Sequence, residues 1–193
     1  MSISLVVLQG PSASGKSTIQ SRLGLPRIVT WTSRAPREGE TDGVDYFFKS
    51  RSEMQSLHDR GQMVEMTEYH GNLYGTPLQL VEDVIRGGAA RSVILDQAGA
   101  GKLRELFRDR TLLIGVKSGK EDCRRRLEAR GHGPEEIRVR LSSYEEEIAA
   151  LAECDLVLNN SDGNLGKIDL LADFIREGLR NNEDASLRSD HLE

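Results

Sequence analysis

The sequence predicts an α/β fold in which a parallel sheet is flanked by helices. Two observations predict it: short apolar runs alternate with helical patterns from end to end, and a glycine-rich turn joins the first apolar run to the first helix. The 193 residues suffice for one well-buried core but are few for two independent domains. We therefore expect a single domain over residues 1–180, followed by a frayed polar tail over residues 181–193.

The core elements follow from apolar runs and the turns between them. Residues 4–8 are typical of a buried strand, and residues 15–23 follow as a helix. Further strands are predicted at residues 92–95, 111–116 and 156–158.

Residues 30–80, called the insert below, break this rhythm. Turn signals occur at Pro36, Gly39, Asp42-Gly43 and Gly71-Asn72, and β-like segments at residues 44–48 and 63–69. We expect an inserted substrate-binding lobe.

Residues 118–151, called the lid below, are strongly helical and charged. The pattern is interrupted at residues 131–134, where glycine and proline disfavour a helix. We expect two helices joined by a hinge. The core then consists of residues 1–29, 81–117 and 152–180.

Composition excludes several classes of protein. The net charge of −5 argues against a large nucleic-acid-binding face, and no apolar run approaches the length of a membrane span. The apolar start lacks a basic leader, so we expect a cytoplasmic protein. Cys123 and Cys154 show no metal-binding or disulfide pattern. The histidines share no spacing and are expected at the surface or in turns; they are His58, His70, His132 and His191.

A phosphate-binding motif lies between the first strand and the first helix. It fits the pattern GxxxxGK[ST] and consists of Gly10, Pro11, Ser12, Ala13, Ser14, Gly15, Lys16 and Ser17, with Thr18 following in the helix. Its backbone N–H groups can surround a polyphosphate at a helix N-terminus, Lys16 can bridge the outer phosphates, and the Ser17 hydroxyl can coordinate Mg²⁺. The alternative, a ligand-free tight turn, has no use for Lys16 and Ser17 together. The motif in this context predicts a P-loop NTPase-type sheet.

A second phosphate site is predicted in the insert, because a triphosphate site alone fits a GTPase, an ATPase or a kinase. Arg34 and Arg37 lie on either side of a proline turn at Pro36, and such a pair suits forked hydrogen bonds to one phosphate group.

The insert resembles the acceptor segments of the guanylate kinase family. The resemblance covers residues 32–48 and the run Gly71-Asn72-Leu73-Tyr74-Gly75-Thr76, with Glu65 at the matching distance before Gly71. It implies that the phosphate of GMP is held by Arg34, Arg37, Tyr46 and Tyr74, and that guanine is recognised by Glu65 and Thr76, with Thr30 at a small hydroxyl position of the family. Guanine suits this division, since its N1–H and N2–H donors can share one carboxylate and its O6 accepts from a hydroxyl. Taken singly, Tyr46 and Tyr74 could equally be core residues.

Asp96 follows a predicted strand at the edge where α/β sheets bind ligands, and could serve Mg²⁺-bound water or the acceptor. The family pattern here is Asp-x-Asp-x-Gln-Gly, but this chain has Ala98 and Ala100 at the second acid and the glutamine. The difference could lower activity, change the acceptor, or be offset by Gln97.

The lid resembles the family's arginine-bearing flap. The resemblance implies roles at the phosphates for Arg126, Arg130 and Arg140, with Arg138 as a less certain neighbour, and places Asn159 near the adenine of ATP. Arg124 and Arg125 are expected on a solvated helix face. The lid linker is one residue shorter than is usual in the family.

Together these features predict a kinase that transfers the γ-phosphoryl group of ATP to GMP, and also to dGMP, with Mg²⁺. We expect Lys16, Arg34, Asp96, Arg130 and Arg140 to be its catalytic residues, and a monomer or homodimer without nucleic-acid or membrane partners. Two alternatives stay open: a related kinase for a modified guanylate or ribose 1,5-bisphosphate, and a non-catalytic protein-binding module of the same fold.

Overall fold

The computed structural model describes residues 2–69, 71–161 and 164–189. In chain order its strands and helices are β1 (Leu5–Gln9), α1 (Lys16–Leu23), β2 (Trp31–Thr32), β3 (Phe47–Phe48), α2 (Arg51–Asp59), β4 (Met63–Tyr69), β5 (Asn72–Pro77), α3 (Leu78–Gly87), β6 (Arg91–Ile94), α4 (Gln97–Leu106), β7 (Thr111–Lys117), α5 (Lys120–Ala129), α6 (Pro134–Arg140), α7 (Tyr144–Ala149), β8 (Leu156–Asn159) and α8 (Leu165–Ser189). None of the helices described combines the length and apolar composition needed to span a bilayer.

The main sheet is parallel, with strand order β6-β1-β7-β8. Its strands are those predicted from the apolar runs, and the predicted α/β class with a parallel sheet flanked by helices is confirmed. Because the strands run in parallel, their carboxyl ends meet at one edge, where the loops after β1 and β6 lie next to each other.

The two faces of β1 explain its unbroken apolar run. Val6 and Leu8 pack into a cluster with residues of α1 and α8, whereas Leu5 and Val7 pack on the opposite side with residues of α3 and α4. A strand that is covered on both faces needs apolar residues at successive positions rather than at alternate ones. Truncating Leu8 to alanine is the kind of change that costs about 2–5 kcal/mol.

The insert contains a second sheet of order β3-β2-β5-β4. Its own small core consists of Met54, Met63 and Leu73, while Val64 joins the core of the main sheet. The insert is thus tied to the core through β4.

One predicted strand of the insert is shorter than expected. Residues 44–48 were predicted as β-like, but only Phe47–Phe48 forms a strand. The N–H groups of Val44 and Asp45 both turn back to the carbonyl of Thr41, and Val44 is exposed, so this part is a turn.

The lid has three helices, not the two predicted. Gly131 adopts a φ of +81° and Pro134 begins α6, as the interruption at residues 131–134 indicated. A second break separates α6 from α7 at residues 141–143. Leu141 is buried with Cys123 and Leu127 there, so packing within the lid ends the helix without glycine or proline.

The predicted frayed tail is also corrected, because α8 continues through Ser189. Its first turns are anchored by Ile168, Ala172 and Leu179 in the main core. Residues 181–189 contain no glycine or proline, so nothing in them ends the helix. The division of the chain into core, insert and lid stays a prediction.

Candidate functional site

The loop between β1 and α1 curls around its own lysine. Lys16 Nζ donates to the carbonyls of Gly10 at 2.6 Å and Pro11 at 2.9 Å. The backbone φ angles at Gly10, Ala13 and Gly15 are +140°, +59° and +100°. This chain path turns successive peptide groups inward, as a polyphosphate site requires.

Two glycines of the loop are needed for space as well as for φ. A Cβ at Gly10 would collide with the carbonyl oxygen of Val116, and one at Gly15 would collide with the Asn160 carboxamide. Of the other loop residues, Pro11 and Ser14 are buried, Ser12 lines the cleft described below, and the Ser17 and Thr18 positions are exposed.

The Lys16 ammonium group is buried and lies within electrostatic range of charged groups of both signs. Burial lowers the pKa of its ammonium group, the Glu147 carboxylate in the lid acts to raise it, and the Arg130 guanidinium lowers it further. A bound polyphosphate would favour the charged ammonium, because an opposite charge close by stabilises it.

Arg126 and Asn160 hold the loop from behind. Arg126 donates to the carbonyls of Ala13 at 3.2 Å, Ser14 at 3.3 Å and Asn160 at 2.7 Å. Asn160 Nδ2 donates to the carbonyl of Ser14 at 2.8 Å. Helix α5 of the lid and the end of β8 therefore set the shape of the phosphate loop.

The sequence analysis singled out Asn159 and missed Asn160. The structure leaves Asn159 exposed, with its side-chain oxygen accepting from the Ser161 hydroxyl at 2.8 Å, whereas Asn160 is buried against the loop. The two are adjacent asparagines, so only burial distinguishes them, and no local sequence signal could have done so.

Glu65 and Thr76 form a hydrogen-bonded pair on β4 and β5. The two residues are paired in register, and the Thr76 hydroxyl donates to Glu65 Oε1 at 2.8 Å. Burial raises the pKa of Glu65 to about 7; the Thr76 hydrogen bond opposes this shift and the Asp96 charge adds to it. The free oxygen of Glu65 can accept from a ligand donor.

Helix α4 packs against this pair through a glycine. A Cβ at Gly99 would lie 2.7 Å from Glu65 Cγ, so only glycine leaves the carboxylate its place. Asp96 caps the same helix: its Oδ1 accepts from the Gly99 N–H at 2.8 Å, and the Thr67 hydroxyl lies 3.4 Å from its Oδ2. Asp96 thus has a structural partner on one oxygen and faces the insert with the other.

The departures from the family pattern lie on the same helix. Ala100 is completely buried in the main core, whereas Ala98 and Gln97 are exposed in the first turn of α4. An apolar residue at position 100 is therefore compatible with its surroundings.

Arg34 lies against the two tyrosines of the resemblance. Its guanidinium carbon is 5.8 Å from the centre of the Tyr46 ring, and the Tyr46 and Tyr74 rings meet edge to face at 6.0 Å. Glu40 holds Arg34 by an ion pair at 2.9 Å, and the Thr32 hydroxyl accepts from the Arg34 N–H at 3.2 Å. Burial raises the pKa of Tyr46, which keeps its hydroxyl a donor.

Arg37 and Thr30 differ in their surroundings. The Arg37 side chain is exposed, and its backbone N–H donates to Glu40 at 2.7 Å. Thr30 lines the cleft beside Tyr46. Glu40 was not predicted as part of the site. The available signal was its negative charge, a few residues after the positive charges of Arg34 and Arg37.

The lid arginines are unequally placed. Arg140 ends α6, pairs with Glu136 at 3.2 Å and lines the cleft, and Arg130 follows α5 within electrostatic range of Lys16. Arg138 is 72% exposed and pairs with Glu135 at 2.6 Å. Arg124 and Arg125 pair with acids of their own helix at the surface, as expected of a solvated face.

Two other sets of predicted residues lie outside the site. His58 is exposed and His132 pairs with Glu136 at 2.8 Å, while His70 and His191 lie outside the described residues. Cys123 and Cys154 are both free thiols.

One cleft of about 500 Å³ joins the core, the insert and the lid. Its lining includes Gly10, Ser12 and Lys16 from the loop, Thr30, Tyr46, Glu65, Thr67 and Tyr74 from the insert, Asp96 from the core, and Arg140 and Glu147 from the lid. A wider depression of about 740 Å³ borders it and shares Thr30 and Tyr46. The smaller cleft brings the cations Lys16 and Arg140 together with the Glu65 carboxylate, so it can bind phosphate groups next to a group that donates hydrogen bonds.

The chain is similar to several known proteins that share one name. A family model described as guanylate kinase matches residues 2–177. The chain is 36% identical over 167 residues to a guanylate kinase of Halalkalibacterium halodurans, covering 83% of this chain and 82% of the relative. It is 39% identical over 164 residues to one of Rubrobacter xylanophilus, covering 82% and 86%. A crystal structure of guanylate kinase from Anaplasma phagocytophilum matches with a TM-score of 0.67 at 31% identity, covering 94% of this chain and 86% of that one.

Proposed function

The chain belongs to the guanylate kinase family, and from this premise we propose that it transfers the γ-phosphoryl group of ATP to GMP, and also to dGMP, with Mg²⁺. The products are ADP and GDP or dGDP. The proposal places the enzyme in the cytoplasm as a monomer or homodimer that acts on small-molecule nucleotides rather than on nucleic acid or membranes.

The observation that carries the proposal is the shared cleft of Lys16 and Glu65. The Glu65 carboxylate suits the N1–H and N2–H donors of guanine. In the free protein the Thr76 hydroxyl donates to Glu65, and on binding it would turn its proton to the O6 acceptor of the base. Adenine lacks that donor pair. A base-recognising pair therefore lies in the same cleft as a triphosphate loop, as a nucleotide-to-nucleotide transfer requires.

ATP binds, in this proposal, at residues 10–18 with Arg126 behind the loop. Lys16 exchanges its contacts with the Gly10 and Pro11 carbonyls for phosphate oxygens, which stabilises its buried charge. Arg126 keeps the loop in shape through its hydrogen bonds to backbone carbonyls. By the family resemblance, Asn159 would lie near the adenine.

Mg²⁺ would be held by Ser17 together with the nucleotide. Among the described residues no three His, Cys, Asp or Glu side chains come together as a metal site. The exposed Ser17 position, at the start of α1, nevertheless fits an ion that takes few protein ligands and shares phosphate oxygens. When bound, the ion would neutralise charge on the phosphates, and Asp96 is available to its water shell.

GMP binds against the insert. Arg34, Arg37, Tyr46 and Tyr74 hold its phosphate, Glu65 and Thr76 its base, and Thr30 lies between Tyr46 and the loop. No general base is required, because the phosphate oxygen that attacks is already anionic at neutral pH.

The lid completes the site. Arg130 and Arg140 approach the phosphates being exchanged and stabilise the charge spread over the equatorial oxygens of the transition state. Closure also excludes water, which would otherwise compete with GMP as the acceptor. Arg34 aligns the attacking phosphate in this scheme, and Asp96 would act through the water shell of Mg²⁺.

The test is a coupled ADP-release assay with ATP–Mg and GMP, dGMP, AMP or ribose 1,5-bisphosphate, with Lys16→Ala as the blank. We expect turnover with GMP and dGMP that is lost in the variant. Turnover with ribose 1,5-bisphosphate alone would favour the sugar kinase, since a sugar has no base for Glu65 and Thr76. Silence with every acceptor would favour a protein-binding module.

A further inference from the structure

One polar residue of the acceptor cleft has no role in the scheme above. Thr67 lies on β4 and lines the cleft with Glu65 and Tyr74, while its neighbour Glu68 pairs with Arg51 instead. The Thr67 position is exposed, and its hydroxyl lies 3.4 Å from Asp96 Oδ2.

The register of β4 and β5 fixes where Thr67 stands. Glu65 is paired with Thr76, and Thr67 is paired with Tyr74. Because paired residues share a face and side chains alternate along a strand, these four side chains project from the same face. Thr67 is two positions, about 7 Å, further along the strand than Glu65.

The chemistry of the Thr67–Asp96 pair excludes two parts of a nucleotide. The negative charge of Asp96 repels a phosphate, for which the insert provides Arg34. The base edge is already matched by Glu65 and Thr76. The sugar, which joins base and phosphate in every nucleoside monophosphate, is the part left over.

A carboxylate beside a hydroxyl suits a sugar hydroxyl. The threonine hydroxyl donates its one proton to Asp96, which leaves its oxygen lone pairs to accept from the sugar O–H. Acidic residues bind the ribose 2′-hydroxyl in the same way in dinucleotide-binding folds.

We propose that Thr67 is a specificity-determining residue of the acceptor site, whose hydroxyl, oriented by Asp96, binds the ribose 2′-hydroxyl and so favours ribonucleotide over deoxyribonucleotide acceptors. The inference rests on the proposed function and adds the sugar to its recognised groups. Both GMP and dGMP are acceptors, but GMP gains one hydrogen bond that dGMP lacks.

The experiment measures kcat/KM for GMP and for dGMP in the wild type and in three variants. Thr67→Val removes the hydroxyl and keeps the shape and the β-branched character, Thr67→Ser keeps the hydroxyl, and Thr41→Val is a matched control at an exposed threonine position of the insert. We expect Thr67→Val to lower the GMP-to-dGMP ratio of kcat/KM about fivefold, the size of one neutral hydrogen bond. The ratio should be unchanged in the other two.

The outcomes separate the inference from the function on which it rests. An unchanged ratio in Thr67→Val overturns the inference, even if both rates fall, and leaves the kinase assignment standing. Absence of turnover with both acceptors in the wild type overturns both. Misfolding alone cannot shift the GMP-to-dGMP ratio of kcat/KM, because it lowers turnover of both acceptors equally. An altered ratio in Thr67→Ser would also contradict the inference, since that variant keeps the hydroxyl.

Discussion

Burial in the folded protein favours the protonated form of Glu65, whereas guanine recognition needs the carboxylate. Burial raises its pKa to about 7, so near neutral pH the free protein holds a substantial fraction of it protonated. A protonated carboxyl cannot accept both guanine donors, whereas the carboxylate can. Binding GMP should therefore draw a proton off Glu65, and the affinity should depend on pH near neutrality.

The first prediction is that kcat/KM for GMP rises as pH increases through about 7 and then levels off. Glu65→Gln should lower kcat/KM at pH 8 by at least about tenfold, because the amide replaces one acceptor by a donor. In the Glu65→Gln variant, the pH dependence of kcat/KM should follow only the second ionisation of the GMP phosphate, at about pH 6. A wild-type profile that stays flat between pH 6 and 8 would contradict this role.

The second prediction concerns stability without ligand. The folded-state pKa of Glu65 is about 7 against an ordinary value of 4.5, so the folded protein binds more protons between these values. The stabilisation that the protonated Glu65 side chain gives the folded protein is fully present below pH 4.5 and is lost as the pH rises through about 7. At pH 8 Glu65→Gln should therefore be more stable than the wild type, by up to about 3 kcal/mol in denaturant titration. Equal stabilities at pH 8 would show that the buried carboxylate carries no such cost.

The third prediction uses two glycines of α4. Gly99→Ala would bring a Cβ to 2.7 Å from Glu65 Cγ, so the carboxylate must move and KM for GMP should rise about tenfold with KM for ATP unchanged. Gly101→Ala is the matched control, since a Cβ there meets nothing within 4 Å. It should leave kinetics unchanged and raise stability by about 0.5–1 kcal/mol. If the two variants had the same KM for GMP, Gly99 would have no role in shaping the acceptor site.

At the scale of elements, the lid and the phosphate loop are one structural unit. Helix α5 contributes Arg126, whose three backbone hydrogen bonds fix the loop and the end of β8. In the proposed closing motion, the lid would therefore rotate about residues after α5 while α5 stays in place. Gly131, with a φ of +81°, lies where such a hinge is needed.

The fourth prediction separates this anchor from the solvated face of the same helix. Arg126→Ala should raise the Kd for ATP about tenfold, because several loop carbonyls lose a charged donor, and should leave GMP binding unchanged. Arg124→Ala removes a surface arginine that is 46% exposed and should change neither affinity. Isothermal titration of both variants with an ATP analogue and with GMP would distinguish them. An equal loss of GMP affinity in Arg126→Ala would mean that the helix supports the whole cleft.

The elements also show what local sequence can predict. The core strands and the phosphate loop were predictable because apolar runs and glycine–lysine spacing are local patterns. The break at residues 141–143 was not, because it depends on Leu141 packing within the lid and not on a helix breaker. Asn160 and Thr67 were missed for the same reason: each acquires its role only when another element, the phosphate loop or α4, lies against it.

At the scale of the whole molecule, the cleft makes two binding events meet. In the proposed function, the triphosphate side is built by β1, α1 and α5, and the acceptor side by β4, β5 and the start of α4. The two sides share the carboxyl edge of the main sheet but use different side chains. A substitution on one side should therefore abolish binding there without abolishing binding on the other side.

The last prediction tests that separation by thermal unfolding. ADP–Mg and GMP, each at about 100 times its Kd, should stabilise the wild type by about 2.7 kcal/mol, a rise in Tm of roughly 5–10 °C. Lys16→Ala should lose the ADP–Mg shift and keep the GMP shift, since the hydrogen bonds of Lys16 go to the phosphate loop and not to the insert. Gly99→Ala should do the reverse, because its Cβ would collide with Glu65 on the acceptor side of the cleft and would make only an ordinary contact, at 3.4 Å, with Asp96 Oδ1. If either substitution abolished both shifts, the two sides of the cleft would form a single cooperative site, and separate docking of ATP and GMP would be wrong.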